Sequence, residues 1–179
     1  MHTRTLFGLM IGVLFVSLPA AAQERGQTGI TMGYPSSIGV VHHVTSSIAV
    51  RPELSFSHTS SETGGDFGGE TDGWAVGTGI SVLFYLKPIE NVRTYVSPRF
   101  TYSRTSNTAD SDFTETSTST GNAFSVSGSF GAQYTPHRRF AVFGEVGFGV
   151  IDSSVETRLT EASSFNWGTR TGFGAILYF

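Results

Sequence analysis

The chain of 179 residues combines a small negative net charge of −3 with 22 glycines and an aromatic share of 13%. The absence of cysteine excludes disulfides and thiolate metal sites, and the negative charge argues against nucleic acid as a partner. Beyond the N-terminal region no segment shows the periodicity of an amphipathic helix, whereas Gly, Ser and Thr are abundant and suit strands and turns.

Residues 1–22 have the three parts of a secretory signal peptide. Arg4 precedes an apolar run from Leu6 to Leu18, and Pro19-Ala20-Ala21-Ala22 offers a small-residue cleavage site. The run is too short for a spanning helix, so we expect it to be removed during export. Residues 23–179 would then form a single domain.

Five segments of about fifteen residues each alternate apolar with small or polar residues, which is the pattern of β-strands. In the clearest one, from Asn122 to Thr135, the apolar side chains occupy even-numbered positions. Strands of about fifteen residues exceed the usual soluble length of about five or six, whereas about nine to eleven tilted residues cross a bilayer. The predicted strands are Gly29–Tyr34, Ile38–Val44, Ile48–Ser60, Gly73–Lys87, Val92–Ser106, Gly121–Thr135, Phe140–Ser153 and Ser164–Phe179.

The first two of these strands are short. As a hairpin, residues 29–44 would turn at Pro35-Ser36-Ser37. A single kinked strand from Thr28 to Val44 is the alternative, and it would break the even number of strands.

The connections between the predicted strands alternate in length. Short turns lie at Thr45–Ser47, Pro88–Asn91 and Pro136–Arg139, and long polar loops lie at Ser61–Asp72, Asn107–Thr120 and Ser154–Ser163. Outer-membrane barrels show this asymmetry, with short periplasmic turns and longer external loops. We therefore predict an all-β, up-and-down antiparallel transmembrane β-barrel of eight strands with both termini in the periplasm. The acidic long loops bury little apolar surface, so we expect them to be mobile.

Even-numbered residues are expected to carry the apolar, outward face of every long strand, and Phe173 and Leu177 continue this face in the last one. Aromatic side chains gather near strand ends, which predicts two girdles at the level of the lipid headgroups. Near the long loops these are Trp74, Tyr102, Phe124, Phe165 and Trp167, and near the short turns they are Phe84, Tyr134, Phe140 and Phe179. The alternative is a soluble periplasmic β-sandwich with the same face as its core.

The opposite face carries charged residues among many small ones, namely Arg51, Glu53, Arg93, Arg99, Glu145 and Arg170. An eight-stranded barrel is only wide enough for side chains to fill. Opposite charges that hydrogen-bond inside it offset the cost of burying them. We therefore predict that a charge network plugs the lumen, formed by Arg51, Glu53, Arg99, Glu145 and Arg170.

His58-Thr59-Ser60 is the one arrangement weighed as catalytic. His58 and Ser60 share the outward face with Glu62, and a serine activated by histidine and oriented by a carboxylate is the logic of ester hydrolysis. The alternative is that these three polar residues simply begin a Ser/Thr-rich loop and have no catalytic role. Asp110-Ser111-Asp112 lacks the spacing of a calcium loop. We predict no enzyme activity, no cofactor and no metal site.

The signal peptide, the alternating strands, the long loops and the segment Gly168-Thr169-Arg170-Thr171-Gly172-Phe173-Gly174-Ala175-Ile176-Leu177-Tyr178-Phe179 together resemble small porin-like outer-membrane β-barrel proteins of the OmpA/OmpX type. The resemblance spans nearly the whole mature chain and is one of architecture. It implies an outer-membrane, monomeric barrel in contact with lipid and lipopolysaccharide. In that family the barrel-assembly machinery reads an aromatic residue at the end of an amphipathic last strand. Phe173, Leu177 and Phe179 match this signal, with Leu177 where an aromatic residue is usual.

Three functional hypotheses remain open at this point. The first is a non-enzymatic structural or surface-interaction protein that acts through its external loops. The second is a narrow channel for small solutes, and the third is a hydrolase that modifies lipid A. Small barrels host unrelated functions, so the fold alone selects none of them.

Overall fold

A computed structural model describes residues 25–35, 37–63, 69–111, 114–157 and 160–179. The predicted signal peptide lies outside this part of the chain. Among the described residues, no helix is long and apolar enough to span a membrane. The strands are β1 (Thr28–Tyr34), β2 (Ser37–His43), β3 (Ile48–Thr63), β4 (Gly69–Tyr85), β5 (Val92–Ser111), β6 (Thr114–His137), β7 (Phe140–Thr157) and β8 (Glu161–Tyr178).

Each strand pairs with the next in antiparallel register, and β1 pairs with β8, so the sheet closes into a barrel. The closing seam runs from Gly29 opposite Tyr178 to Tyr34 opposite Phe173. This topology confirms the predicted eight-stranded, up-and-down barrel. It excludes the β-sandwich, because the described strands form one closed sheet rather than two stacked layers.

The opening hairpin consists of two strands rather than one kinked strand. β1 and β2 pair from Thr28 opposite His42 to Gly33 opposite Ser37. The chain turns directly after Tyr34, at a cis peptide bond to Pro35. β1 therefore starts, and β8 ends, beside the three short turns; we call this side the short-turn end and the opposite side the hairpin end.

The strands extend beyond their predicted limits at the hairpin end. β3 and β4 pair as far as Thr63 opposite Gly69, and β5 and β6 pair as far as Ser111 opposite Thr114. The predicted long loops are therefore mostly paired strands, and their assignment as loops is wrong for these segments. Ser- and Thr-rich strands pair well where both faces meet water, so the loss of apolar alternation marks the end of the apolar band rather than of the strand.

Side chains alternate between a closed interior and an exposed exterior. Near the short-turn end the interior is an apolar core that includes Val41, Ala49, Leu83 and Ile176, each at most 1% exposed. Most of the large apolar side chains lie on the outside of the barrel. The barrel thus has a small core and an apolar outer surface.

The expectation that even-numbered residues face outward is wrong in the last strand. In β8 the odd-numbered Phe173 and Leu177 are exposed and Ile176 is buried. The cause is the register between β7 and β8, which sets Val146 opposite Thr171 and so pairs even with odd positions. Directly opposed residues share one face of a sheet, so the outward parity changes while the alternation is kept.

The barrel wall is uneven in height. β1 and β2 have 7 residues each, whereas β3 has 16 and β6 has 24. Among the described residues, none pairs with residues 56–63 of β3 or residues 161–172 of β8 on the side of the short hairpin. We call this gap between β3 and β8, above the turn at Pro35, the notch.

Candidate functional site

Five charged side chains from four strands meet in the lumen. β3 supplies Arg51 and Glu53, and β5, β7 and β8 supply Arg99, Glu145 and Arg170. Their charges alternate along the row Arg99–Glu53–Arg51–Glu145–Arg170. The nitrogen–oxygen distances along this row are 2.7 Å, 3.3 Å, 2.6 Å and 3.9 Å. The structure therefore brings all five predicted residues together, and we call this row the lumen network.

The centre of the lumen network is closed to solvent. The side chains of Arg51 and Glu145 are 1% and 2% exposed. Arg51 Nη2 and Tyr95 Oη both donate hydrogen bonds to Glu145 Oε1, at 2.6 Å and 2.8 Å. The Arg51 guanidinium also lies 5.0 Å from the centre of the Phe143 ring. Protein groups thus replace part of the water that these charges lose on burial, although Arg51 Nη1 is buried without a hydrogen-bond partner among the described residues.

The lumen network carries one excess positive charge, because three guanidinium groups meet two carboxylates. Arg99 and Arg170, at the two ends of the row, are 13% and 22% exposed, more than the residues between them. Unpaired charge is costly in a closed interior, so the more exposed ends of the row are the favourable place for the excess charge.

A second polar layer, which was not predicted from the sequence, closes the lumen towards the short-turn end. Tyr85 donates a hydrogen bond of 2.8 Å to Gln133 Oε1, and Gln133 Nε2 donates one of 3.2 Å to Tyr178 Oη. His43 Nε2 lies 3.3 Å from the same hydroxyl group. A signal was available, since His43, Tyr85 and Gln133 occupy odd positions on the face assigned to the lumen.

Arg93, the remaining predicted inward charge, lies apart from the lumen network. Its guanidinium is 4.4 Å from the centre of the Tyr85 ring and donates a hydrogen bond of 2.6 Å to the Ser46 carbonyl. Arg93 therefore covers the second polar layer from the short-turn end rather than joining the other charges.

A glycine makes room for the tyrosine that links the two layers. Gly131 lies directly opposite Tyr95 across β5 and β6, and a Cβ atom at position 131 would overlap the Tyr95 ring. The same ring packs on Tyr85 with the two centres 5.2 Å apart, while its hydroxyl donates to Glu145. Gly131 thus positions a contact shared by the second polar layer and the lumen network.

The serine–histidine pattern does not form the constellation that hydrolysis requires. His58 Nε2 is 2.8 Å from Asp72 Oδ1, so its carboxylate partner is Asp72 and not Glu62. Within the described part of the chain, Ser60 makes no hydrogen bond to His58. The described residues also contain no group of three or more His, Cys, Asp or Glu side chains that could hold a metal ion.

The three residues of the predicted assembly signal lie on the outer surface. Phe173 and Leu177 are 63% and 48% exposed on β8, and Phe179, which follows it, is 77% exposed. The Phe179 backbone NH donates a hydrogen bond of 3.0 Å to the Thr28 carbonyl, which ties the residue to β1. The ring of Phe179 is thereby presented at the outside of the short-turn end.

The barrel is similar to that of a major outer membrane protein from Thermus thermophilus, with a TM-score of 0.59, 13% sequence identity, and coverage of 86% of this chain and 99% of that chain. The chain has the fold of an outer-membrane β-barrel. CarO2 of Acinetobacter baumannii matches with a TM-score of 0.46, 10% identity, and coverage of 86% of this chain and 97% of its own. Ail, the attachment invasion locus protein of Yersinia pestis, matches with a TM-score of 0.45, 15% identity, and coverage of 88% and 100%. No protein-family model and no curated protein sequence matches the chain.

Proposed function

We propose that this protein is a non-enzymatic, integral outer-membrane β-barrel whose lumen is plugged by the lumen network and whose hairpins act at the cell surface. The apolar outer face carries this proposal. Each strand exposes a large apolar side chain between 41% and 65%, namely Ile30, Val40, Leu54, Ile80, Phe100, Phe130, Val146 and Leu177. In water such a continuous surface would far exceed the apolar patches of soluble monomers, whereas lipid tails match it.

Exposed aromatic residues at two levels support the same placement. Towards the hairpin end Trp74 and Trp167 are 42% and 72% exposed, and towards the short-turn end Phe84 and Phe140 are 44% and 38% exposed. Aromatic rings favour the headgroup level of a bilayer. Outer-membrane lipid and lipopolysaccharide would then surround the band between the two girdles, and a single closed barrel needs no second copy to cover it.

The hairpins are the proposed working surface. Glu62 lies opposite Glu70, which in turn lies opposite Asp110, so three carboxylates sit side by side on β3, β4 and β5. Backbone pairing holds these strands in place beyond the apolar band. An acidic surface on paired strands suits a structural role or recognition by an external partner better than it suits catalysis.

The lumen network supports a closed barrel rather than a channel. Opening it would separate Arg51 from Glu145, whose side chains are 1% and 2% exposed and fill the centre of the lumen. We expect no steady current from the purified protein in planar bilayers. A stable conductance that changes in the Glu53→Gln/Glu145→Gln double variant would contradict the plug and favour the channel hypothesis.

Single cysteines test the proposed orientation, because the chain has none of its own. Ser117→Cys places a thiol on the β5–β6 hairpin, and Lys87→Cys places one beside the short turn after β4; both positions are exposed. We expect a membrane-impermeant maleimide to label Ser117→Cys on intact cells and Lys87→Cys only after permeabilisation. The reverse pattern, or labelling of both in a soluble fraction, would refute the proposal.

A further inference from the structure

The notch connects the lumen with the outside of the barrel. Every residue from Leu54 to Glu62 of β3 and from Glu161 to Thr169 of β8 is exposed, so both faces of the two bounding strands are open. β6, on the far side of the barrel, keeps its alternation, with Ser127 buried and Val126 exposed. The missing wall is therefore confined to the side where the first hairpin is short.

A cavity of about 540 Å³ occupies the notch. Its volume lies in the range of about 300–1,000 Å³ that is usual for small-molecule sites. Charged side chains from the lumen and apolar side chains from the outer face both line it, among them Glu53, Arg99, Arg170, Leu54, Phe56 and Val76. The same cavity thus has a polar inner end and an apolar wall that continues onto the lipid-facing surface.

The inner end of the cavity favours an anion. Arg99 is held 2.7 Å from Glu53, whereas Arg170 makes only a long contact of 3.9 Å to Glu145 and keeps 22% of its side chain exposed. Among the described residues of the lumen network, Arg170 is the most weakly engaged cation. A guanidinium group can donate two parallel hydrogen bonds to one carboxylate, and the network has one positive charge in excess.

The strand edges at the notch also require a polar environment. From Ile48 to Ser55, β3 rises roughly 18 Å along the barrel axis for a strand tilted by about 40° that rises about 3.3 Å per residue. The lower part of the notch therefore lies within the apolar band, below Trp167. Unpaired backbone groups are not found against lipid tails, but they are tolerated where they line a hydrated cavity.

We propose that the notch is a lateral binding site for a free fatty acid from the surrounding membrane. Its carboxylate meets Arg170 at the inner end, and its acyl chain lies against Leu54, Phe56 and Val76 at the outer end. A single-chain monoanion matches the one excess positive charge of the lumen network and presents an acyl chain to the apolar wall of the cavity. This inference rests on the membrane location proposed above.

Tryptophan fluorescence provides a direct readout, because, of the two tryptophans of the chain, Trp167 is on β8, which bounds the notch, and Trp74 is on β4, directly opposite His58 of β3. The mature protein in phosphatidylcholine vesicles is titrated with dibromostearic acid, which quenches tryptophan on contact. Its methyl ester, which has the same chain without the charge, serves as the reference. We expect half-maximal quenching at an about tenfold lower mole fraction for the acid, since each tenfold step equals about 1.4 kcal/mol.

Three variants assign the effect to the notch. Arg170→Gln should abolish the preference for the acid, and Ser57→Phe should reduce it by filling the cavity, which Ser57 lines. Arg104→Gln should retain it, because Arg104 is an exposed cation on β5 that does not line the cavity. A heat-dependent mobility shift in electrophoresis confirms that each variant is folded.

Equal quenching by the acid and the ester in the folded parent protein would overturn the proposal. Retention of the preference in Ser57→Phe and in any folded Arg170→Gln protein would overturn it as well. Brominated phosphatidylglycerol could quench as strongly as the acid, and Arg170→Gln could remove that quenching. This result would overturn the fatty acid as the ligand and assign a two-chain anionic lipid to the notch. Failure of the parent protein to insert into vesicles would instead refute the membrane location itself.

Discussion

Glu145 is the residue at which the two polar layers of the lumen converge. Its carboxylate accepts hydrogen bonds from Arg51 and Tyr95 and lies 3.9 Å from Arg170. Tyr95 in turn packs on Tyr85 of the second polar layer. Because Glu145 is bonded directly to the lumen network and is linked through Tyr95 to the second polar layer, a change at Glu145 affects both layers.

Replacing the Glu145 carboxylate should therefore destabilise the folded barrel. We expect Glu145→Gln to lower the free energy of unfolding by about 3–5 kcal/mol, because it leaves Arg51 buried without its closest counter-ion. Urea-induced unfolding in detergent, followed by tryptophan fluorescence, measures the change. Glu156→Gln on the exposed end of the same strand is the control, with an expected change within about 0.5 kcal/mol. Equal effects of the two substitutions would argue against a stabilising lumen network.

The space opposite Tyr95 gives a second test that changes no charge. Gly131→Ala should lower the free energy of unfolding by about 1–3 kcal/mol, because the added methyl group displaces the Tyr95 ring and its hydrogen bond to Glu145. Gly128→Ala, on the same strand, is the matched control, since a Cβ there would meet no atom within 4 Å. The same urea titration compares them. A Gly131→Ala protein as stable as Gly128→Ala would show that this glycine does not position Tyr95.

At the scale of the strands, alternation predicted the central part of each long strand because one face meets lipid and the other a narrow lumen. It could not predict where the strands end, since the pairing of β5 and β6 continues to Ser111 and Thr114 through Ser- and Thr-rich sequence with no apolar face. The outward face of β8 is odd-numbered, and its apolar residues, among them Phe173 and Leu177, already stand at odd positions, so the even-numbered rule of the other strands should not have been extended to β8.

Only part of the candidate site was predictable from the sequence. The charges of the lumen network were visible because Arg and Glu are rare on a strand face that is otherwise Gly, Ser and Thr. The second polar layer was not predicted, because tyrosines near a strand end resemble girdle aromatics in sequence. The odd positions of His43, Tyr85 and Gln133 on the face assigned to the lumen were the signal that could have shown it. The notch exists because β1 and β2 are much shorter than β3 and β8. The two short strands were predicted from the sequence, but the gap that they leave above them was not.

The last strand supports a prediction about assembly rather than stability. Phe179 is 77% exposed, so Phe179→Ala removes little packing and should leave the unfolding free energy nearly unchanged. If the barrel-assembly machinery reads this residue, the variant should accumulate to a lower level in the outer membrane. Immunoblots of membrane fractions measure that level.

Phe165→Ala is the control for that prediction, since Phe165 is a similarly exposed aromatic residue at the other end of β8, 67% exposed. We expect this variant to reach the parental level in the outer membrane. An equal loss of both proteins would indicate a general effect of removing exposed aromatics, and no loss in Phe179→Ala would remove this residue from the assembly signal.

At the scale of the whole molecule, the barrel reverses the arrangement of a soluble protein. Apolar side chains cover the outside, and the inside is filled by ion pairs and hydrogen-bonded polar side chains above a small apolar core. Such a molecule is stable only where lipid covers the outer face and a closed sheet satisfies the backbone. The barrel therefore depends on three features together, namely a closed sheet, a plugged lumen and a location in the membrane.

Cell fractionation followed by electrophoresis of the detergent-extracted protein, with and without boiling, tests this claim most directly. We predict recovery in the outer-membrane fraction and a mobility that changes on heating, because a closed barrel stays compact in detergent until it is boiled. Recovery as a soluble periplasmic protein with the same mobility before and after boiling would contradict the account.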